Sequence, residues 1–251
     1  MANIKAKGLI LKQSDYGESN RMLTVFCEGY GIVKASTHGI RGSKSRQAAA
    51  SQFLCYGTFL LYQGKGDVLR VNGVEPIETF FPIQENIQAL SLGAYLADIT
   101  YAALSAQTPD DGLLHMLLNT LYMMAYKDKP LGLLKSVYEL RLAKHAGFMP
   151  VTDFCAACGI NEGLCAFSAE ENGMICSACA EKMHGCVGLT PACFQALYYI
   201  LHAEARQVFH FQLGEQVQGE LARLAEEYIL QHLERDFSSL TYYKRMIEGV
   251  V

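Results

Sequence analysis

From Ile4 onward the chain alternates apolar and polar positions in "IKAKGLILK", and comparable short runs recur in "MLTVFCE", "GIVKAST", "FLCYGTFLLYQ" and "DVLRVNGVE". Gly29, Gly31, Gly64 and Gly66 punctuate them. A two-residue period with glycine turns is the mark of strands half-buried on a core. Five such runs without a helical period predict a small closed or nearly closed barrel over the first eighty or so residues. The one helix expected here lies near Gln47 to Gln52.

Beyond Pro82 the spacing of apolar residues changes to three and four, through about Asn86 to Ser105, Leu113 to Tyr126 and Leu131 to Ala146. "TPDD" at Thr108 to Asp111 predicts a helix start, with Thr108 as the cap, Pro109 in the first turn and acids where the helix dipole favours them. Gly147 and Pro150 predict the end of the third helix. A second Thr-Pro, Thr190 and Pro191, restarts the helical pattern with Phe194, Leu197, Tyr198 and Leu201 on one face. A long amphipathic helix follows over Glu215 to Arg235, with Val217, Leu221, Leu224, Tyr228 and Leu233 in its stripe and Glu220, Arg223, Glu227 and Glu234 toward water. The expected architecture is α+β and multidomain: a barrel over 1–81, helices over 82–150, a cysteine-rich insertion over 151–187, and helices again over 188–251.

Composition narrows the class. Half of the 251 residues are hydrophobic and charged residues are ordinary in number, which excludes disordered and fibrous chains. The most apolar stretch, Leu90 to Ala106, contains Asp98 and falls short of the ~20 residues that span a bilayer, so a buried helix is expected and no membrane partner. The N-terminal segment reads as a strand and not as a signal peptide, so the expected location is the cytoplasm. Net charge is −4, but it is unevenly placed: Met1 to Phe81 carries ten Lys/Arg against six Asp/Glu, and the remainder eleven against nineteen. A basic working surface joined to an acidic body is the implied arrangement.

Seven of the nine cysteines lie between Cys155 and Cys193. Clustering, an odd count and a reducing compartment favour metal over disulfides. Cys155, Cys158, Cys176 and Cys179 form C-x2-C-x17-C-x2-C, in which each pair aims two sulfurs at one point and two pairs complete the tetrahedron of a structural Zn2+. Four sulfurs leave no open position for an activated water. Cys165 and Cys186 stand outside the spacing. Two enzymatic readings are weaker: His202-Ala-Glu204 has the His-x-Glu of zinc deaminases but lacks a Pro-Cys-x-x-Cys after it, and a thioredoxin-type pair needs a βαβ setting. His38, His115 and His145 have no nucleophile and carboxylate in triad order, and no phosphate-binding glycine loop occurs. No catalytic constellation is expected, and the protein reads as a non-enzyme.

"HGIRGSKSR", His38 to Arg46, carries Arg41, Lys44 and Arg46 among glycines and serines. Lys34 precedes it, and Arg21, Lys65 and Arg70 lie on neighbouring strands or turns. Long cations on a small barrel suit a phosphate backbone, and Tyr16, Tyr56, Phe59 and Tyr62 are rings on which bases could stack. A solvated loop with no partner is the plain alternative, and an interaction scaffold with a zinc ribbon and a merely structural barrel is the other.

The whole chain resembles the RecO family of bacterial DNA repair proteins. The resemblance rests on "DYGESNRMLTVF", the basic loop before "AAASQF", "YELRLAKHAGFMP", the paired cysteines and "HLERDFSSLTYY". It implies that the barrel is an oligonucleotide-binding (OB) fold that binds single- and double-stranded DNA, anneals complementary strands and acts in recombinational repair at the nucleoid. It also implies RecR and the tail of single-stranded DNA-binding protein as partners, with RecA loaded as a result. On this resemblance Arg21, Lys34, Arg41 and Lys44 fall at basic positions, whereas His38 and Ser43 stand where the family often has Lys and Pro. The tail would bind the helical part, around Arg141.

Overall fold

The computed structural model describes residues 3–16, 20–37, 50–64, 68–104 and 108–249. Arg41, Lys44, Arg46 and Lys65, with His38, Ser43 and the first half of the helix expected near Gln47 to Gln52, lie outside them. The chain forms two compact units, Met1–Asp128 with Phe237–Val251, and Lys129–Asp236. This division runs through the helical stretch and not at Phe81/Pro82, because the last helix returns to the first long one.

In the first unit, β1 (Asn3–Tyr16), β2 (Asn20–Cys27), β3 (Gly31–Thr37), β4 (Tyr56–Tyr62) and β5 (Leu69–Glu78) close in the order β1-β2-β3-β5-β4. All pairs are antiparallel except β3 with β5, which meet only at Ala35↔Leu69 and Ser36↔Arg70. Alternation places Ala6, Ile10, Leu23, Val25, Ala35, Phe59 and Leu61 in the interior. The segment 50–55, in which Ala50, Ser51, Leu54 and Cys55 are buried, is tied to β1 by hydrogen bonds between Ile10 and both Leu54 and Cys55. β1 is long enough to pair with both its neighbours, with β4 from Asn3 to Leu9 and with β2 from Gly8 to Tyr16, and a bulge between Ile10 and Lys12 interrupts the second pairing.

α1 (Phe81–Glu85), α2 (Ile87–Ala103) and α3 (Asp111–Tyr126) follow. α2 packs on β1 and α3 on β2, where the outward-facing Leu9 and Phe26 are fully buried. The cap of α3 is Asp110, whose carboxylate accepts from the Leu113 N–H at 2.8 Å, and not Thr108 as the sequence suggested. A carboxylate directly before the first turn meets the free N–H groups, and Thr108 lies two residues too early. α8 (Ser238–Glu248) lies along α2: the Ser239 hydroxyl donates to Asp98, and the Gln88 amide donates to the Met246 carbonyl.

The second unit is built around α4 (Leu131–His145), in which every residue from Leu133 to Ala143 is buried. Three of these are charged, and each is held by partners inside the fold. Lys135 Nζ lies 2.8 Å from Glu139 and 2.9 Å from Glu226, and Arg141 donates to the Ile200 and Ala203 carbonyls. The unit also holds β6 (Leu164–Ser168), β7 (Gly173–Cys176), α5 (Ser177–Ala180) and β8 (Val187–Gly188), which form a small three-stranded sheet with its helix, and α6 (Pro191–His202) and α7 (Glu215–Leu233), which pack on α4. Thr190 caps α6, as expected, accepting from Cys193 N–H at 3.2 Å. Two side chains differ from expectation. Glu220 does not point to water but accepts from the Thr190 N–H and hydroxyl, and Tyr198 is exposed and stacked on His202. The buried face of α6 is Cys193, Ala196, Leu197, Ile200 and Leu201, offset from the one expected. Among the described residues, no helix is long and apolar enough to cross a membrane.

Candidate nucleic-acid face and cysteine centre

Pairing register decides which barrel residues share a face, because successive side chains on a strand point to opposite sides. Leu23, Val25 and Ala35 point inward, so Met22, Thr24, Lys34 and Ser36 point outward. Lys12 joins them. Two residues beyond the interior Ile10 it would itself point inward, but the bulge at Leu11 sets it opposite Thr24 and turns it outward. One row therefore reads Lys12–Thr24–Lys34 across β1, β2 and β3. The next reads Ser14–Met22–Ser36–Arg70–Tyr62–Asn3 and crosses the β3–β5 seam without a break. Lys12, Lys34 and Arg70 are exposed and Tyr62 is half-buried. This face combines cations for phosphates with a ring and an apolar side chain for bases.

Of the expected basic positions, the structure brings Lys34 and Arg70 together on this face. Arg21 lies on the other side of the sheet. It pairs with Thr37, three residues from Lys34, and its guanidinium donates to Asp15 at 2.9 Å and to the Ser51 carbonyl at 3.4 Å. Its side chain is only 20% exposed. Arg21 thus ties β2 to β1 and to the segment 50–55. Lys12 was not singled out in the sequence, since strict alternation hides it and only the bulge reveals its side. Of the rings, Phe59 is core, Tyr56 donates to Glu28 at 2.8 Å, and Tyr62 stands on the open face.

The cysteine centre is held by two turns. In the first, Gly159 N–H donates to the Cys155 carbonyl at 2.8 Å and Cys155 N–H donates to that of Ile160 at 2.7 Å, with Gly159 at φ +79°. In the second, β7 delivers Cys176 and the short α5 delivers Cys179. Gly173 lets Val151 lie against β7: a Cβ there would collide with the Val151 carbonyl oxygen. The four sulfurs lie within 4.8 Å of one another, and those of Cys158 and Cys176 are 3.7 Å apart. A tetrahedral metal with ~2.3 Å bonds to sulfur requires sulfur–sulfur edges of about 3.8 Å, so the residues fit such an ion.

Thiol chemistry agrees. Burial pushes the Cys155 thiol up, but backbone N–H groups of Cys176, Cys158 and Ala157 outweigh it and bring it down to about 6. Cys179 is pushed up to about 12, first by its S–H contacts to Cys158 and Cys176. One thiol held low beside another held high shows that these close sulfurs compete for negative charge, and a bound cation would remove that competition. Cys165 and Cys186 are not in the cluster. Away from it, burial pushes Cys27 up to about 12 and Cys55 to about 11, so neither is a reactive thiolate. His202 bonds Thr152 at 3.1 Å and takes no part in the centre.

Residues 1–80 match the family described as Recombination protein O N terminal, and residues 84–241 match Recombination protein O C terminal. The chain belongs to the RecO family. It is 32% identical over 249 residues to the DNA repair protein RecO of Acetivibrio thermocellus, covering 98% of both chains. The RecO of Alkaliphilus metalliredigens is 27% identical over 97% of this chain and 99% of its own, and that of Bacillus cereus is 31% identical over 83% and 80%. A role in DNA repair follows from the family. In the helical part around Arg141, to which the RecO resemblance points for a partner tail, Arg141 is buried and one guanidinium nitrogen donates to the Ile200 and Ala203 carbonyls, whereas Lys144 is exposed and donates to that of Leu201.

Proposed function

We propose that this RecO-family chain is a non-enzymatic mediator of recombinational repair whose barrel is an OB-fold that binds DNA. The observation that carries this reading is the unbroken outward row Lys12–Thr24–Lys34 beside Ser36–Arg70–Tyr62. Cations spaced along neighbouring strands neutralise successive phosphates, and Tyr62 offers a ring to an unstacked base. Arg41, Lys44 and Arg46, which follow β3 in the sequence, belong to this reading as further cations for phosphate. In this reading the protein binds single- and double-stranded DNA, brings complementary strands together and helps load RecA. It works with RecR and with the tail of single-stranded DNA-binding protein, in the cytoplasm at the nucleoid.

Zn2+ is the ion the four cysteines would hold, and its part is structural. A closed four-sulfur shell leaves no ligand position for a substrate, and the ion replaces a core that the short β6–β8 segment is too small to build.

Fluorescence anisotropy with a labelled oligothymidine tests the barrel reading. Lys34→Glu combined with Arg70→Glu should weaken binding by at least about tenfold at moderate salt, because two contacts become two repulsions. Unchanged affinity in a folded double variant would rule the face out and favour the scaffold reading.

A further inference from the structure

β1 contributes lysines to two different outer faces. Its second half places Lys12 beside β2 and β3, on the face described above. Its first half pairs with β4, where Lys5 lies opposite Leu60, Lys7 opposite Thr58, and Asn3 opposite Tyr62. These side chains point outward, because the intervening Ala6 and the flanking Phe59 and Leu61 belong to the interior. Lys5 and Lys7 are exposed and make no ion pair among the described residues. They stand roughly 7 Å apart, two residues along one strand. Leu60 between the strands is 42% exposed, an unusual amount of apolar surface for a strand centre. The face is bounded on one side by Leu9, which is fully buried, and by Glu75 opposite Thr58. On the other side it runs through Tyr62 to Arg70, and there it meets the first face at the two-residue β3–β5 seam.

We infer that the barrel holds two single strands of nucleic acid at once. One lies over Lys12, Lys34 and Ser36; the second lies over Lys5, Lys7 and Leu60; the two paths converge at Arg70 and Tyr62. This rests on the reading of the barrel as a DNA-binding unit and adds to it a second strand site. The physical basis is the length of β1, which pairs with β4 from Asn3 to Leu9 and with β2 from Gly8 to Tyr16; the bulge at Leu11 turns Lys12 outward on the second side, and β5 lies between β3 and β4, about 5 Å from each. An acidic peptide is the other ligand that two lysines and a leucine could take. The continuous row through Tyr62 to the first face favours nucleic acid, since the ring serves either path.

The experiment uses the full chain and two non-complementary oligothymidine strands carrying a donor and an acceptor dye. Sedimentation counts strands per chain, and a complementary pair gives the annealing rate. In wild type we expect about two strands per chain, with energy transfer between the dyes. In Lys5→Glu with Lys7→Glu, affinity for the first strand should stay within about twofold, bound strands should fall to about one, and the annealing rate should drop roughly tenfold. Both lysines are exposed, so the melting temperature should not move; Lys5→Gln with Lys7→Gln serves if the acidic variant does not fold. One strand per wild-type chain would overturn the inference, as would a variant that still holds two strands or anneals at the wild-type rate. Equal loss of first- and second-strand binding would make the two faces one site and overturn it as well. Failure of the underlying reading shows separately, as first-strand affinity that survives Lys34→Glu with Arg70→Glu.

Discussion

If the barrel binds DNA as proposed, the salt dependence of single-strand binding separates the cations that meet phosphate from those that only hold the barrel. Lys12, Lys34 and Arg70 share the open face, whereas Arg21 points to the other side and bonds Asp15 and the Ser51 carbonyl. Each phosphate contact contributes about −0.7 to the slope of log affinity against log salt for a single strand. Three contacts therefore give a slope near −2, or roughly twentyfold weaker binding from about 50 to 200 mM salt. Lys12→Gln with Lys34→Gln should flatten the slope by about 1.4 relative to wild type, whatever the basic loop adds to both. Arg21→Gln should leave the slope unchanged. It removes a charge-assisted hydrogen bond between partly exposed side chains, so its cost, ~1–2 kcal/mol, should appear as lower thermal stability. The assay is anisotropy of a 5′-labelled oligothymidine at four salt concentrations, with thermal unfolding of each variant alongside. A flattened slope in Arg21→Gln together with an unchanged slope in the double lysine variant would refute the assignment of faces.

Three further outcomes follow from the second unit. Cys176→Ser should release about one zinc per chain to a colorimetric chelator and lose the tertiary signal of the β6–β8 segment, while single-strand affinity remains near wild type; intact affinity for zinc would contradict a four-sulfur site. Lys135→Met should cost ~3–5 kcal/mol in urea unfolding, because it leaves the buried Glu139 carboxylate without its cation, and adding Glu139→Leu should recover most of that loss. Burial alone would lower the Lys135 pKa, but Glu139 and Glu226 outweigh it and raise the value. A raised folded-state value means that this stabilisation is complete below the ordinary lysine pKa of ~10.4 and is lost as pH rises through the folded value. The melting temperature should therefore fall more steeply above about pH 10.5 in wild type than in Lys135→Met with Glu139→Leu.

Much of the fold was legible in the sequence because its signals are local. Two-residue alternation marks "IKAKG" and "MLTVFCE" as strands whichever strands they pair with. The spacing of Cys155, Cys158, Cys176 and Cys179 carries its geometry with it, since a Cys-x-x-Cys turn converges its sulfurs wherever it sits. Thr190-Pro191 starts a helix by satisfying the N–H groups of its own first turn. The misreadings involve partners distant in sequence. Glu220 belongs by period to the wet side of α7 and is drawn in by Thr190, thirty residues earlier. Lys135 and Arg141 lie in a helix whose spacing is legible but whose full burial is not, because the α7 carboxylate and the α6 carbonyls that meet them are distant in sequence.

By itself, then, the sequence determined the strands, the helices and the four-sulfur centre, each of which depends on neighbours a few residues away. Tertiary structure alone decided which cations work together. A single bulged residue, Leu11, moves Lys12 from the inside of the barrel to the outside, and the short β3–β5 seam sets Arg70 beside Ser36 while Arg21 turns away. A strand's two faces differ by one residue of register, and register is settled only when the barrel closes.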